Sequence, residues 1–170
     1  MRSSQFKVAV HALAYLGWAA EAWSSELVTS EDLAASVNTH PVVVRRLLGS
    51  LREAGLVTSQ PGPGGGWRLV RAPDAITLRD VYEAVADDAL FAPPHRAPSH
   101  VCPIGRTVHR VIGRFCNEAE RAMAERLGQF TIADTIDDVA EALDAHGMKG
   151  ECPPRLVSRR AGRKEIVTLA

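Results

Sequence analysis

The chain has 170 residues, with 20 Lys and Arg against 20 Asp and Glu, so its formal net charge is zero; 46% of its residues are apolar. This length predicts one domain, or one domain with an appendage, and it allows a buried core. No apolar run reaches the ~18 residues that a membrane-spanning helix needs, and the N-terminus does not have the pattern of a signal peptide. We therefore expect a cytoplasmic protein whose three cysteines are free thiols.

The chain begins with a predicted helix over residues 2–20, whose broad apolar face indicates that it is buried on most sides. Arg2 stands at its start and could reach a phosphate. A second helix is predicted from Ser30, with Thr29 as its N-cap and Asp32 reaching back to complete a capping box. This second helix is the first of the two helices of a predicted helix-turn-helix.

A third helix follows a tight turn at Asn38. We expect Thr39 to cap it, Pro41 to lie in its first turn and Gly55 to end it. Two short helices connected in this way are typical of a helix-turn-helix, in which the N-terminal part of the second helix meets the base edges of DNA. The predicted buried stripe comprises Val43, Leu47, Leu48 and Leu51, and the opposite face comprises His40, Val42, Arg45, Arg46 and Arg52.

A hairpin with a glycine-rich tip is predicted next, with strands at residues 56–59 and 67–70. The tip, residues 60–66, is not a nucleotide-binding P-loop, because it has no Lys-Ser/Thr pair and follows a strand. Its glycines would allow the backbone to approach a phosphate or a groove floor closely. A solvated turn is the alternative for the loop taken alone, but Arg68 and Arg71 favour a wing that contacts DNA.

The zero net charge of the whole chain hides a basic segment. Residues 40–71 contain five arginines against one glutamate, a local net charge of +4. Local basic surface matters more for DNA affinity than the charge of the whole chain, so we expect double-stranded DNA as a partner. The predicted DNA-binding residues are Arg2, Thr39, His40, Val42, Arg45, Arg46, Gly64, Gly65 and Arg68.

The longest helix is predicted in the second half of the chain. Before it, Thr77 caps a helix that extends to residue 85, and residues 87–101 hold three prolines, which predicts a loop. Pro103 then fits the first position of a helix that extends to about residue 127. Its apolar stripe favours a dimer contact, with packing against its own domain as the alternative. The stripe comprises Ile104, Val108, Val111, Phe115, Ala119, Ala122 and Met123.

The last predicted helix covers residues 131–145, with Thr131 and Asp134 as its capping pair. Beyond it, basic residues with few apolar anchors predict a flexible tail. The expected fold class is mostly α with a small β-hairpin, a winged helix-turn-helix domain followed by a long C-terminal dimerisation helix. The expected organisation is residues 1–86 as the DNA-binding domain, 87–101 as a loop, 102–147 as dimerisation helices and 148–170 as the basic tail.

Four stretches of the sequence stand out together. They are FKVAVHALAYLG, SEDLAASVNTHPVVVRRLLGSLREAGLV, PGPGGGWRLVR followed by ITLRDVYEAV, and CPIGRTVHRV. Through them the chain resembles the Rrf-two family of bacterial winged-helix transcription regulators over residues 2–143. The resemblance implies a homodimer with crossed long helices and wings on a palindromic operator, and no enzymatic activity. Family members mostly repress, and some sense through an iron–sulfur cluster bound by three cysteines in and beside the loop before the long helix.

The chain departs from this cluster-binding pattern. Cys102 alone lies in that region, and Gly105 stands where the resemblance would place a histidine ligand. Cys116 lies fourteen residues further along the predicted helix, about 21 Å away at 1.5 Å per residue. We therefore expect no bound cofactor, with an iron–sulfur cluster held by non-standard ligands as the alternative.

Cys102 is expected at the N-cap of the long helix, where the partial positive charge of the helix favours a thiolate. We therefore predict that it senses oxidants or electrophiles; an inert cysteine is the alternative.

A metal site formed by Cys102 with His95, His100 and His109 is a further alternative. These residues have suitable ligand types, but their spacing matches no strong metal-binding pattern. An enzyme that uses Cys102 as its nucleophile is disfavoured, because no known nucleophile motif surrounds this residue. A winged-helix adaptor that binds only proteins is disfavoured by the Arg45-Arg46 pair and by Arg68 and Arg71 of the wing.

Overall fold

The structure is a computed structural model that describes residues 2–22, 27–86, 91, 96, 99, 101–146, 157–160 and 163–166. Within these residues it is mostly helical with two small antiparallel hairpins, and the first of them is the predicted wing, which confirms the predicted fold class. The elements are α1 (Arg2–Ala22), α2 (Ser30–Val37), α3 (Pro41–Glu53), β1 (Val57–Gln60), β2 (Gly66–Leu69), α4 (Leu78–Ala84), α5 (Pro103–Leu127), α6 (Ile132–Ala145), β3 (Val157–Arg160) and β4 (Arg163–Ile166).

Helix α1 lies at the centre of the fold, because α2, α3, α4, α6 and β2 all pack against it. Ala9, Ala12 and Leu13 on this helix are fully buried, as the broad apolar face predicts. At Gly17 an added Cβ atom would lie 2.7 Å from Ile136 Cδ1, so α6 packs too closely on α1 for a larger residue there. The core of the domain is therefore built around this first helix.

Helices α2, α4 and α6 begin with the same arrangement. In each, the side chain of an N-cap threonine accepts a hydrogen bond from the backbone N–H of an aspartate three residues later, and that carboxylate accepts one from the threonine N–H. The predicted caps Thr29, Thr77 and Thr131 are therefore confirmed. Each box satisfies two N–H groups that a helix start otherwise leaves without a partner.

The wing is more than an isolated hairpin. Strands β1 and β2 pair antiparallel with Val57 opposite Leu69, one residue away from the predicted bounds. On the other side of β2, Val28 N–H donates to the Trp67 carbonyl at 2.9 Å, and Val28 accepts from Trp67 N–H at 2.7 Å. This third segment, which the sequence did not predict, ties the wing to the chain just before α2.

The chain returns to the domain after α5. Leu78 N–H donates to the Phe130 carbonyl at 2.9 Å, and Ile132 N–H donates to the Ile76 carbonyl at 2.9 Å, so the starts of α4 and α6 are joined. Helix α6 then packs on α1 and on a short 3₁₀ turn at residues 73–75, which buries Ile132 and Ile136. This return fastens the C-terminal end of α5 to the domain.

Helix α5 has no buried residue, although its apolar stripe is extensive. Near its C-terminal end it is attached to α4, where the Tyr82 hydroxyl donates to Glu120 Oε1 at 3.1 Å. Towards its N-terminus, Ile104 is 71% and Phe115 is 60% exposed. The described part of the chain therefore does not cover the predicted stripe.

Two predicted segments fall largely outside the described residues. The loop over residues 87–101 is one of them, and most of the basic tail over residues 148–170 is the other. Within the tail, for which the sequence predicts no regular element, β3 and β4 form an antiparallel hairpin, and β3 lies beside α2. No helix in the described ranges is long and apolar enough to cross a membrane.

Candidate nucleic-acid interface

Helix α3 begins one residue later than the sequence suggests, because its N-cap is His40 and not Thr39. The His40 Nδ1 atom accepts a hydrogen bond from Val42 N–H at 3.2 Å, and Pro41 occupies the first helical position. Proline favours that position, which leaves the residue before it as the cap. Asn38 adopts φ 56° and Thr39 N–H donates to the Ala34 carbonyl at 2.9 Å, so Thr39 belongs to the turn between the helices.

The buried face of α3 is also shifted by one residue from the prediction. Val44 is fully buried with Leu47, Leu48 and Leu51, whereas Val43 is 54% exposed. Both valines fit an i, i+4 series with the leucines, so spacing alone does not separate them. Val43 therefore joins Val42 on the outer surface of the helix, where the sequence reasoning did not place it.

The two neighbouring arginines of α3 have different surroundings. Arg45 Nη2 lies 2.8 Å from Glu31 Oε1, and Arg45 Nε donates to Ser30 Oγ at 3.1 Å. Both partners belong to the first turn of α2. Arg46 is exposed and makes no ion pair within the described part of the chain. Of the pair, Arg46 is thus the cation that faces outwards without an ion-pair partner, and Arg45 links α3 to α2.

The glycines of the wing are required by the hairpin itself. Gly64 has φ +81°, a conformation that residues with a Cβ atom rarely adopt. A Cβ atom on Gly65 would lie 2.1 Å from the Gln60 carbonyl oxygen, and one on Gly66 would lie 2.7 Å from that of Val28. These contacts account for the glycine-rich tip without DNA, so the DNA contacts assigned to Gly64 and Gly65 stay a prediction.

Three other predicted basic residues lie apart from α3. Arg68 is exposed on β2, opposite Thr58 in the hairpin. Arg71 Nη1 donates to the Ala75 carbonyl at 3.2 Å, and Arg71 Nη2 lies 3.7 Å from Asp80 Oδ2, so this side chain is turned back towards the start of α4. Arg2 begins α1, and its side chain lies outside the described part of the structure.

Cys102 is the N-cap of α5, as predicted. The exposed Sγ atom accepts a hydrogen bond from Gly105 N–H at 3.4 Å, and Pro103 occupies the first helical position. An added Cβ atom on Gly105 would lie 2.8 Å from the Ser99 carbonyl oxygen, which explains the glycine at this position. The thiol is therefore accessible, and it lies at the opposite end of α5 from the attachment of Glu120 to α4.

A helix-turn-helix with an outward arginine on its second helix and a wing beside it defines a winged helix-turn-helix protein of the kind that regulates transcription by binding DNA. Residues 2–138 match the profile of the Rrf2 (Rrf-two) family, described as an iron-dependent transcriptional regulator. The chain belongs to this family. It is therefore a DNA-binding transcriptional regulator and not an enzyme.

Individual relatives agree with this assignment. The HTH-type transcriptional regulator YwnA of Bacillus subtilis (strain 168) is 34% identical over 138 residues, which cover 81% of this chain and 98% of YwnA. The crystal structure of a transcriptional regulator from Lactobacillus plantarum has a TM-score of 0.66 at 29% identity, and the match covers 87% of this chain and 94% of that one. The structure of T. potens IscR shares the fold, with a TM-score of 0.60, 22% identity and coverage of 81% and 87%.

The family description names iron, but the described residues do not fit an iron–sulfur cluster. Cys102 and Cys116 lie fourteen residues apart on one continuous helix, about 21 Å from each other, whereas cluster ligands converge on one site. Cys152, His95 and His100 lie outside the described residues. Among the side chains that the structure does describe, no three His, Cys, Asp or Glu form a group that could hold a metal ion.

Proposed function

We propose that the chain acts as a homodimer that binds a palindromic operator in double-stranded DNA and represses transcription. One winged domain presents a short reading surface, and dimers of such domains read two half-sites about one helical turn apart. The observation that carries the proposal is the exposed apolar face of α5, because a symmetric pair of reading helices needs a contact between the two chains.

The face of α5 has the spacing of a helix–helix contact. Ile104, Val108, Val111 and Phe115 follow one another at intervals of four, three and four residues. Phe115 lies about 140° around the helix from Glu120, which is bonded to Tyr82 of the domain, so the stripe points away from the body of its own chain. A contiguous exposed apolar surface marks an interaction site. A second copy of the chain offers the same stripe on its own α5.

We further propose that Cys102 makes the regulator sensitive to oxidants or electrophiles. Transfer of one oxygen atom from hydrogen peroxide converts the thiol into a sulfenic acid and releases water. The Cys102 sulfur is exposed and accepts a hydrogen bond from Gly105 N–H. The added oxygen would therefore enlarge the side chain that caps α5 and disturb this hydrogen bond. A change at this helix start would alter the spacing of the two reading helices in the dimer.

We propose, in addition, that the protein holds no resident metal or cluster and that it acts in the cytoplasm. The first part is supported by the separation of Cys102 from Cys116, and the second by the DNA partner of the family. A cluster with ligands from two chains is the competing possibility. Anaerobically purified protein with the visible absorption of an iron–sulfur cluster would contradict the cofactor-free proposal.

The test is a titration of the protein with duplex DNA from the region upstream of its own gene, at fixed salt. We expect a Kd of about 10 nM or tighter that weakens steeply with salt, and a dimer in analytical ultracentrifugation. Peroxide should change the affinity of the wild type and of the matched control Cys116→Ser, but not of Cys102→Ser. If all three proteins respond equally, Cys102 is not the sensor; if the protein is a monomer on and off DNA, the dimer proposal is wrong.

A further inference from the structure

The outer face of α3 has two apolar side chains where a surface that binds phosphates needs none. Val42 and Val43, in its first turn, are 57% and 54% exposed. Neighbouring apolar side chains in water are unfavourable, and such surface commonly marks a contact site. Phosphate groups cannot bury these side chains. The C5-methyl group of thymine can, because it is the apolar group that the major groove presents to a bound helix.

Arg46 adds a cation to the same face. It lies four residues after Val42 and three after Val43, so all three side chains follow one side of the helix. Arg45, about 100° away around the helix, is held by Glu31 and Ser30 of α2. Of the two neighbouring arginines, Arg46 is therefore the one available to a base edge, and Arg45 is a positioning residue that fixes α3 on α2.

Gly49 continues this face where a larger residue would fit. It lies three residues after Arg46 and seven after Val42, in the interior of α3. An added Cβ atom at Gly49 would have no neighbour within 4 Å, so the fold itself does not require glycine there. Glycine in a helix interior destabilises the helix relative to alanine. A close approach of the groove edge to the helix backbone at this position accounts for a residue that the domain does not need.

We propose that α3 reads thymine methyl groups with Val42 and Val43 and a neighbouring guanine with Arg46, while Gly49 allows the helix to sit deep in the major groove. Arginine donates two parallel hydrogen bonds to O6 and N7 of guanine. Val42 and Arg46 are about 6 Å apart along the helix axis, which corresponds to about two base-pair steps. This inference rests on the DNA binding of the proposed function and adds the base chemistry of the half-site.

The first test replaces thymine by deoxyuridine, which removes only the methyl group. A duplex recovered by the wild-type protein from a random-sequence library is prepared with and without this replacement in both half-sites. We expect the wild type to lose about fourfold in affinity for each contacted methyl group. The double variant Val42→Ala, Val43→Ala should lose clearly less affinity than the wild type on the deoxyuridine duplex, and circular dichroism should show an intact fold because both positions are exposed.

The second test replaces guanine by 7-deazaguanine, which removes the N7 acceptor. The wild type and the matched control Arg45→Ala should lose affinity on this duplex, whereas Arg46→Ala should bind both duplexes equally.

A third test concerns Gly49. Gly49→Ala should raise the melting temperature by about 3 °C and yet weaken binding at least about threefold. Opposite changes of stability and affinity distinguish a close groove contact from damage to the fold.

Several outcomes would overturn the inference. Equal binding of wild type to the thymine and deoxyuridine duplexes is one, and recovered half-sites without a thymine within about two base pairs of a guanine are another. A double valine variant that keeps the full deoxyuridine penalty, or Gly49→Ala with unchanged affinity, would also contradict it. If the wild type recovers no duplex at all, the proposed function fails as well, so the two failures can be distinguished.

Discussion

Two groups of helices in this molecule begin in different ways. In α2, α4 and α6, the N-cap threonines Thr29, Thr77 and Thr131 each exchange hydrogen bonds with an aspartate three residues later. In α3 and α5, the N-caps are His40 and Cys102, and each is followed by proline. These two caps accept one backbone N–H each, at 3.2 Å and 3.4 Å, and have no reciprocal partner.

The difference follows what each helix contacts. All of these helices except α5 bury residues in the core, but in α2, α4 and α6 a reciprocal box also satisfies two N–H groups at each start. We propose that α3 presents its outer face to DNA and that α5 presents its outer face to a second chain. Their caps are a histidine and a cysteine, side chains that can also contact DNA or react. The starts of the domain helices therefore serve stability, while the starts of the two outward helices are open to other partners.

The largest expected effect comes from placing a charge on the outer face of α5. Phe115→Asp should convert the dimer into a monomer, because two carboxylates would be buried in the contact, and operator affinity should fall at least about 100-fold when two half-sites are no longer bound together. Asn117→Asp adds the same charge on the other side of α5 and should leave both properties nearly unchanged. Sedimentation velocity and an operator titration measure the effect; a dimeric Phe115→Asp protein would refute it.

The next effect separates the two arginines of α3. Arg46→Ala should weaken operator binding about 10- to 100-fold, the range for a lost bidentate base contact. Arg45→Ala should cost less than about fivefold, because Arg45 is paired with Glu31 in the free protein. Fluorescence anisotropy at one salt concentration compares the variants. Equal losses for both would show that Arg45 leaves Glu31 and contacts DNA directly.

A smaller effect tests the contrast between the caps. Thr29→Ala removes the hydroxyl that accepts a hydrogen bond from Asp32 N–H and donates one to Asp32 Oδ2. This change should lower the free energy of unfolding by about 1 kcal/mol. Cys102→Ala should lower it by less than about 0.5 kcal/mol, because an exposed sulfur is a weak acceptor. Urea unfolding at one fixed protein concentration measures both, since a dimer unfolds in a concentration-dependent way. A larger loss for Cys102→Ala would reverse the comparison.

The smallest expected effect is a pH dependence at the contact between α1 and α2. His11 Nε2 lies 2.8 Å from Ser36 Oγ, and although much of the side chain is exposed, partial burial lowers the pKa of His11 below its ordinary value of 6.5. The folded state thus favours the neutral ring, so its contribution to stability is present above pH 6.5 and is lost as the pH falls from there through the folded pKa.

Stability should therefore fall between about pH 7.5 and about pH 5.5 in the wild type, and less in His11→Gln, which cannot be protonated. Hydrogen bonds from Thr131 lower the pKa of Asp134, so its contribution is present above its ordinary value of 3.8 and is lost only below it, outside this window. Urea midpoints at the two pH values decide the matter. If the urea midpoint changes equally with pH in the wild type and in His11→Gln, His11 contributes nothing to the pH dependence.

Local signals account for the parts of the molecule that were predicted best. Three threonine caps, the helix start at Pro103 and the hairpin depend on residues within a few positions of one another, so the sequence shows them directly. Local patterns indicate the wrong residue where two neighbouring residues fit the pattern equally well. Thr39 and His40 can both cap a helix, and Val43 and Val44 both fit the spacing of the leucines. Proline at the first helical position decides the cap, and packing decides the valine.

The sequence by itself determined the class of protein: its four stretches carry the winged helix-turn-helix pattern, because helix periodicity, capping and turn chemistry are short-range properties. Only the tertiary structure decided which of the two arginines is ion-paired, since the Arg45–Glu31 contact joins residues fourteen positions apart. The same holds for Val28 on Trp67 and for α6 on α1, which fix the wing and leave the stripe of α5 exposed. Such contacts depend on how segments that are distant in the sequence pack together, so local patterns of the sequence do not predict them.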